Sequence, residues 1–317
     1  MKETCKAVAL VLSIIVIFYL WLHIGDGKQS SLKWQTQEEK SFTAEKQKES
    51  KKKVHVVRQD GSELHLAMDD YLRGVIASEM SASFEMEALK AQCVAARTFV
   101  IRRGLEVDDT TQTQVYHDDK QLKQIWGASY AKYSKRIKQA VKETSGEILT
   151  YQGKPISAVF FSGSCGKTAN AEEYWESKTP YLRSVDSHWD KKEKGYEKTV
   201  TIDSNTFHTK LGFQNPVSEI SEPLRYASGY VKSIKIDGIT FSGRSIREKL
   251  NLRSSCFTIK KTGNAYRITT KGYGHGLGMS QYGAQGMALE GKSYQEILHH
   301  YYTDVKIEKK RMYKGIS

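Results

Sequence analysis

Glu79 is the residue whose setting most invites chemistry. In the stretch YLRGVIASEM a helical phase puts it seven residues after Leu72, four after Val75 and three after Ile76, on the apolar stripe of that helix. A carboxyl group placed there is costly to ionise, so its pKa rises and it can hold a proton near neutral pH for use as a general acid. The bland alternative is a helix-end glutamate that bends back to solvent or pairs with an arginine.

A second cluster is GYGHGLGMSQYGAQGMA, Gly272 to Ala288. Its first half carries too many glycines for a stable helix, so Gly272 to Gly278 is expected to form a tight backbone loop able to press against a ligand. Ser280 is then placed to cap a helix running through Ala288. His275 could serve as a base, a ligand-orienting donor, a metal ligand, or a histidine that only bonds the turn. Ser280, Gln281 and Tyr282 follow it as a polar triplet at the helix start. Lys90, Gln92 and Arg97 lie among Ala88, Ala91, Ala95 and Ala96, small residues that admit close packing or a ligand. Arg97 in such a place is more often an ion-pair or surface residue than a ligand contact.

Two look-alikes fail. SGSCGKT would need a glycine where Phe161 stands to be a phosphate-binding loop, and GMSQYG puts Tyr282 where a nucleophile elbow needs its last glycine. Cys165 with His275 has no local signature of a thiol nucleophile and base. No metal or cofactor is expected: paired-cysteine and H-E-x-x-H spacings are absent, and His299 and His300 point to opposed sides of a helix.

The elements that must position these groups can be read from pattern. VHVV, the turn QDG and ELHLAM read as strand, turn, strand, followed by a helix over about Asp69 to Met80. A second helix is expected to start from Ser83 as N-cap and to run to Arg102 and Arg103 before Gly104. A helix near Ser129 to Thr144 precedes a hairpin of EILTY, QGK and PISAVFF. VKSIKI, CFTIKK and AYRITT read as strands, the last two joined at TGN, and SYQE from Ser293 is a capping box. Helices with mostly antiparallel hairpins make the fold class α+β in one domain, with no internal repeat.

Ahead of that domain, residues 1–6 are short and basic, and 7–24 form an apolar run long enough to span a bilayer. Tyr19 and Trp21 near its far end suit an interface, and no small-residue cleavage site follows. An uncleaved single-pass anchor with a cytoplasmic N-terminus is expected, then a polar tether over 25–53 and an extracytoplasmic domain over 54–317. The 317 residues include four cysteines, Cys5, Cys93, Cys165 and Cys256, too few and scattered for a disulfide scaffold. A formal charge of +13 points toward an anionic partner; the extracytoplasmic placement and the lack of a DNA-binding pattern argue against nucleic acid.

Taken together, YLRGVIASEM, FEMEALKAQCVAARTF and GYGHGLGMSQYGAQGMA resemble the stage II sporulation protein D family, including relatives described as amidase enhancers. Two departures are Ser81, where the family usually has proline after S-E-M, and Cys93, in place of a common alanine. The resemblance implies lytic transglycosylase activity on peptidoglycan glycan strands, with Glu79 as catalytic acid. It also implies that Gln92, Arg97, His275, Ser280, Gln281 and Tyr282 line the substrate groove. It further implies work at the septum during engulfment, on the mother-cell membrane facing the forespore. Stage II sporulation proteins M and P are the implied partners, the latter clearing stem peptides from the glycan. Two other readings remain: a non-catalytic glycan-binding module that recruits or stimulates an amidase, and a tethered scaffold whose charge grips an anionic wall polymer.

Overall fold

The computed structural model describes residues 53–110, 113–175 and 177–309. The apolar run at 7–24, the expected anchor, and all of the tether except Lys53 lie outside these residues; among the described residues no helix is long and apolar enough to cross a membrane.

Strand β1 (Val54–Val57) turns through Gly61 into the antiparallel β2 (Glu63–Leu66), and β3 (Glu106–Asp108) runs parallel on the other side of β1. Between them come α1 (Met68–Glu79) and α2 (Met86–Arg102). The second helix begins two residues later than the Ser83 cap implies. Residues 81–84 close a turn instead, with the Phe84 N–H on the Ser81 carbonyl at 3.0 Å and the Ser83 hydroxyl on that of Ser81 at 2.8 Å. Alternating small and branched residues bury α2 on nearly every side, from Ala88 through Ile101, which makes it the central helix of its core.

Asp118 and Gln121 form a capping box for α3 (Asp119–Trp126), and α4 (Tyr130–Glu143) follows after one tight turn. Strand β4 (Glu147–Tyr151) pairs with the two-residue β5 (Lys154–Pro155) and, on its other edge, with the last strand of the chain. The expected hairpin is therefore cut short. Phe160 and Phe161 form β6, which pairs in parallel with β13 (Met279–Ser280) from the glycine-rich block.

A second core sits under β7 (Glu197–Asp203), β11 (Phe257–Thr262) and β12 (Ala265–Lys271), antiparallel in the order β11, β12, β7. The meander β8 (Leu224–Arg225), β9 (Val231–Ile236) and β10 (Ile239–Ser242) and helices α5 (Ser204–Leu211) and α6 (Gly243–Leu250) cover it. Phe207, Ile234, Ile246, Phe257, Tyr266 and Ile268 fill its interior. The chain then returns to the first core with α7 (Gln281–Leu289), α8 (Tyr294–Tyr301) and β14 (Lys306–Lys309), α7 capped by Ser280 and α8 by the Ser293–Glu296 box as read from the sequence. The pairing is mostly antiparallel and the fold is α+β.

Candidate functional site

Glu79 ends α1, one turn beyond the buried Leu72, Val75 and Ile76. Glu79 is partly exposed as a residue, and its Oε1 accepts one backbone N–H, from Val115, at 2.7 Å. Among the described residues it has no ion-pair partner. Burial pushes its pKa above the usual range, and the Val115 N–H offsets only part of that. The negative end of the helix dipole works in the same direction as burial.

The segment Gln114–His117 that supplies this N–H lies flat on α1 because Gly74 leaves room for it. A Cβ at Gly74 would stand 2.2 Å from the Tyr116 ring. Tyr71 donates to Gln114 Oε1 at 2.7 Å, and Ser78 Oγ stands between the Gly74 carbonyl at 2.6 Å and His117 Nδ1 at 2.7 Å. A serine–histidine pair thus flanks the glutamate. Sequence reasoning missed His117, since 39 residues separate it from Ser78 and no spacing announces the contact.

The loop that follows Glu79 leans on the third block. Arg136 holds its carbonyls at Ala82 and Phe84, at 3.0 and 2.5 Å, and Gln285 of α7 accepts the Glu85 N–H at 2.6 Å. The Phe84 ring meets that of Tyr282 edge-on at 5.3 Å. The second and third sequence blocks, two hundred residues apart, are joined there. Tyr282 also borders a shallow cleft with Tyr273, Glu193 and Arg253, the Arg253 guanidinium lying 4.7 Å from the centre of the exposed Tyr273 ring.

In the glycine block, Gly272, Gly274, Gly276 and Gly278 all take positive φ, as a loop of this composition requires. What approaches them is protein. A Cβ on Gly278 would lie 2.1 Å from the Val159 carbonyl, and one on Gly274 would lie 2.7 Å from Phe161 Cβ. The N–H groups of Gly272, Tyr273, Gly274 and Met279 bond to Tyr196, Gly163, Arg253 and Val159 carbonyls. The expectation that these glycines open the backbone to a ligand is corrected accordingly: they let residues 159–164 zip against the loop.

His275 is absorbed into that zip. Its Nε2–H donates to the Phe160 carbonyl at 3.1 Å while Nδ1 accepts the Leu277 N–H at 3.0 Å, an arrangement that fixes the neutral tautomer and leaves neither nitrogen for a ligand or for Cys165. Burial, with the Arg247 charge behind it, lowers its pKa to about 4. Ser280 is wholly buried; it caps α7 through the Gly283 N–H at 3.2 Å and donates to Asp190 at 2.7 Å. Asp190, which the sequence reading did not single out, gathers the Ser164 N–H and the hydroxyls of Ser164, Ser187 and Ser280. Its carboxyl is nonetheless raised by burial, the four donors opposing that shift.

Gln92 and Arg97 are 0% and 1% exposed and so stand in the core of α2 rather than on a groove wall. Arg97 Nη1 donates to the Thr144 and Glu147 carbonyls at 2.8 and 3.1 Å, capping the end of α4 with a cation. Both amide atoms of Gln92 and the Nε2 of the buried Gln281 lack a partner. The nearest thing to a metal-ligand set among the described residues is His55, Glu63 and His65 on the β1–β2 hairpin. The two nitrogens of His55 are taken there by Glu106 and Glu63, at 2.6 and 3.1 Å.

Residues 61–151 match the family described as stage II sporulation protein, a span holding Glu79, Gln92 and Arg97. Over 276 residues the chain is 47% identical to stage II sporulation protein D of Bacillus amyloliquefaciens, covering 82% of this chain and 80% of that protein. This chain belongs to the stage II sporulation protein D family. The counterpart in Bacillus subtilis strain 168 is 46% identical over 256 residues, 77% of this chain and 75% of the relative. An amidase enhancer of the same strain is 32% identical over 291 residues, 73% of this chain but 39% of the enhancer. The two departures from the family pattern lie in different surroundings. Ser81 is exposed in the turn after α1, and Cys93 is buried in α2, where burial pushes its thiol up to about 12.

Proposed function

We propose that this member of the stage II sporulation protein D family is a membrane-anchored lytic transglycosylase. It cleaves peptidoglycan glycan strands and leaves 1,6-anhydro-N-acetylmuramic acid ends. The observation that carries the reading is Glu79: a carboxyl group raised by burial, held by one backbone N–H and free of any ion pair among the described residues. Protonated Glu79 donates to the glycosidic oxygen as the bond to C1 breaks. The carboxylate, steadied by the Val115 N–H, then accepts the C6 hydroxyl proton as that oxygen closes on C1. The proton returns to where it began. Ordinary glycosidases need a second carboxylate to supply or activate the nucleophile; here the sugar supplies its own.

Tyr282, at the junction of the Glu79 loop and α7, offers a ring to a sugar face, with Gln281 beside it at the helix start. Ser280 acts with them by fixing the helix start. Gln92, Arg97 and His275 serve the same groove from behind, as positioning residues. Preference for peptide-free glycan, engulfment as the setting, and partnership with stage II sporulation proteins M and P rest on family membership. So does an N-terminal anchor in the mother-cell membrane.

Mass spectrometry of products from peptide-free glycan strands tests the activity. Anhydro-ended fragments are expected; reducing ends would mean hydrolysis, with another group activating water. The relation to an amidase enhancer favours one other reading, a non-catalytic glycan-binding module that stimulates an amidase. Absence of any product, with glycan binding intact, would establish that reading instead.

A further inference from the structure

Cys165, in the loop after β6, and Cys256, at the entry to β11, pack in one small cluster with Ala169, Tyr230 and Leu277. They meet over one short piece of backbone: Cys165 Sγ lies 3.5 Å from the Ser228 carbonyl and Cys256 Sγ 3.4 Å from that of Gly229. Gly229 has positive φ and no Cβ, and a Cβ there would sit 3.4 Å from the Cys165 sulfur. The two sulfurs therefore sit on the carbonyls of adjacent residues in one turn. Both line a cavity of about 400 Å³ whose wall carries Lys191, Arg225 and Lys271.

We propose that Cys165 and Cys256 are a redox-active thiol pair that closes to a disulfide, stapling the loop of Ser164 to the start of β11. The inference is independent of the transglycosylase reading. Three features favour it beyond proximity. The Cys256 thiol is held below its ordinary range by the Cys165 S–H, then by the charges of Arg225 and Lys271, which is the setting of a reactive thiol. The cavity gives a small disulfide a way in, and its cations attract an anionic one. Cys93, by contrast, is wholly buried in α2 and takes no part.

The reaction balances as an exchange with a disulfide donor. The Cys256 thiolate attacks one donor sulfur, forms a mixed disulfide and releases the first thiolate, which takes up a proton. Cys165 then loses its proton and attacks the Cys256 sulfur, releasing the second thiol. Two protein thiols are oxidised and one donor disulfide is reduced to two thiols. The staple acts on the site platform because Ser164, next to Cys165, donates through N–H and hydroxyl to Asp190, and Asp190 accepts from Ser280.

The test uses the full chain, reduced and then exposed to oxidised glutathione, acid-quenched, alkylated and digested without reductant. The expected results are a cross-linked peptide joining Cys165 to Cys256 and an alkylated Cys93. Cys165→Ser should trap one glutathione on Cys256. Closing a loop of this length should raise the thermal midpoint by about 5–10 °C over the reduced chain, a rise missing in Cys256→Ser. Recovery of both thiols alkylated, glutathione persisting on both, or cross-links through Cys5 or Cys93 in their place would overturn the proposal. An oxidised chain that melts with the reduced one would overturn the staple.

Discussion

Glu79→Gln removes one exchangeable proton and little else. The amide oxygen still accepts the Val115 N–H now bonded at 2.7 Å, and the side chain still completes the stripe of Leu72, Val75 and Ile76. Activity and stability are therefore expected to move in opposite directions. General acid or base catalysis contributes about 10²–10⁴ to a rate, and here one residue fills both roles, so the loss should approach ~10⁴, about 5.4 kcal/mol of barrier. Stability should rise. The folded pKa of Glu79 lies above its unfolded value, so its contribution is complete below the unfolded pKa and is lost as pH rises through the folded one. Glutamine does not titrate, so the advantage of the variant should widen with pH and level off above the folded pKa, read as a higher thermal midpoint. The assay is the initial rate of anhydro-ended fragments from peptide-free glycan, beside thermal melts of the same samples from pH 4 to 8. A variant that keeps more than about a tenth of the rate would refute the catalytic assignment. One that melts below wild type by a margin growing with pH would show that the fold stabilises the anion, against the burial argument.

Asp190→Ala strips the acceptor from the Ser164 N–H and three hydroxyls, and should cost about 3 kcal/mol in urea unfolding, with Asp190→Asn losing less. His275 should stay neutral from pH 5.5 upward, so its ring resonances should not shift there by NMR. Its folded pKa of about 4 lies below the unfolded value, so stability is complete above about 6.5 and falls by up to ~3 kcal/mol as pH drops toward 4. Gly278→Ala, at φ +72° with its new Cβ 2.1 Å from the Val159 carbonyl, should cost about 3 kcal/mol or more, read as a lower midpoint or as insoluble expression. Arg97→Met should lower the midpoint by several degrees in thermal melts, through loss of the bonds to the Thr144 and Glu147 carbonyls.

Local signals were legible where the physics is local. The phase of Leu72, Val75, Ile76 and Glu79 is a property of a few turns of helix, and the structure places that stripe in the core. The caps at Ser280 and Ser293 depend on residues three positions apart, and both form. Ser83 failed as a cap because the turn at 81–84 competes for the same groups. The hairpin after β4 was cut short because Phe160 and Phe161 pair with Met279 and Ser280, a partner more than a hundred residues away that no turn signal reveals.

Residue types and short spacings thus established a helix carrying a misplaced carboxyl group, an obligatory glycine loop before a capped helix, and membership of a mixed α+β class. Folding decided what each of these touches. Val115 and His117 come to Glu79 and Ser78 because Gly74 leaves a groove for their segment; Asp190 becomes the hub of three loops; and the glycines receive a strand of the protein itself. Backbone conformation is written in neighbouring residues, whereas burial, pKa and hydrogen-bond partners depend on atoms brought together across the chain by packing.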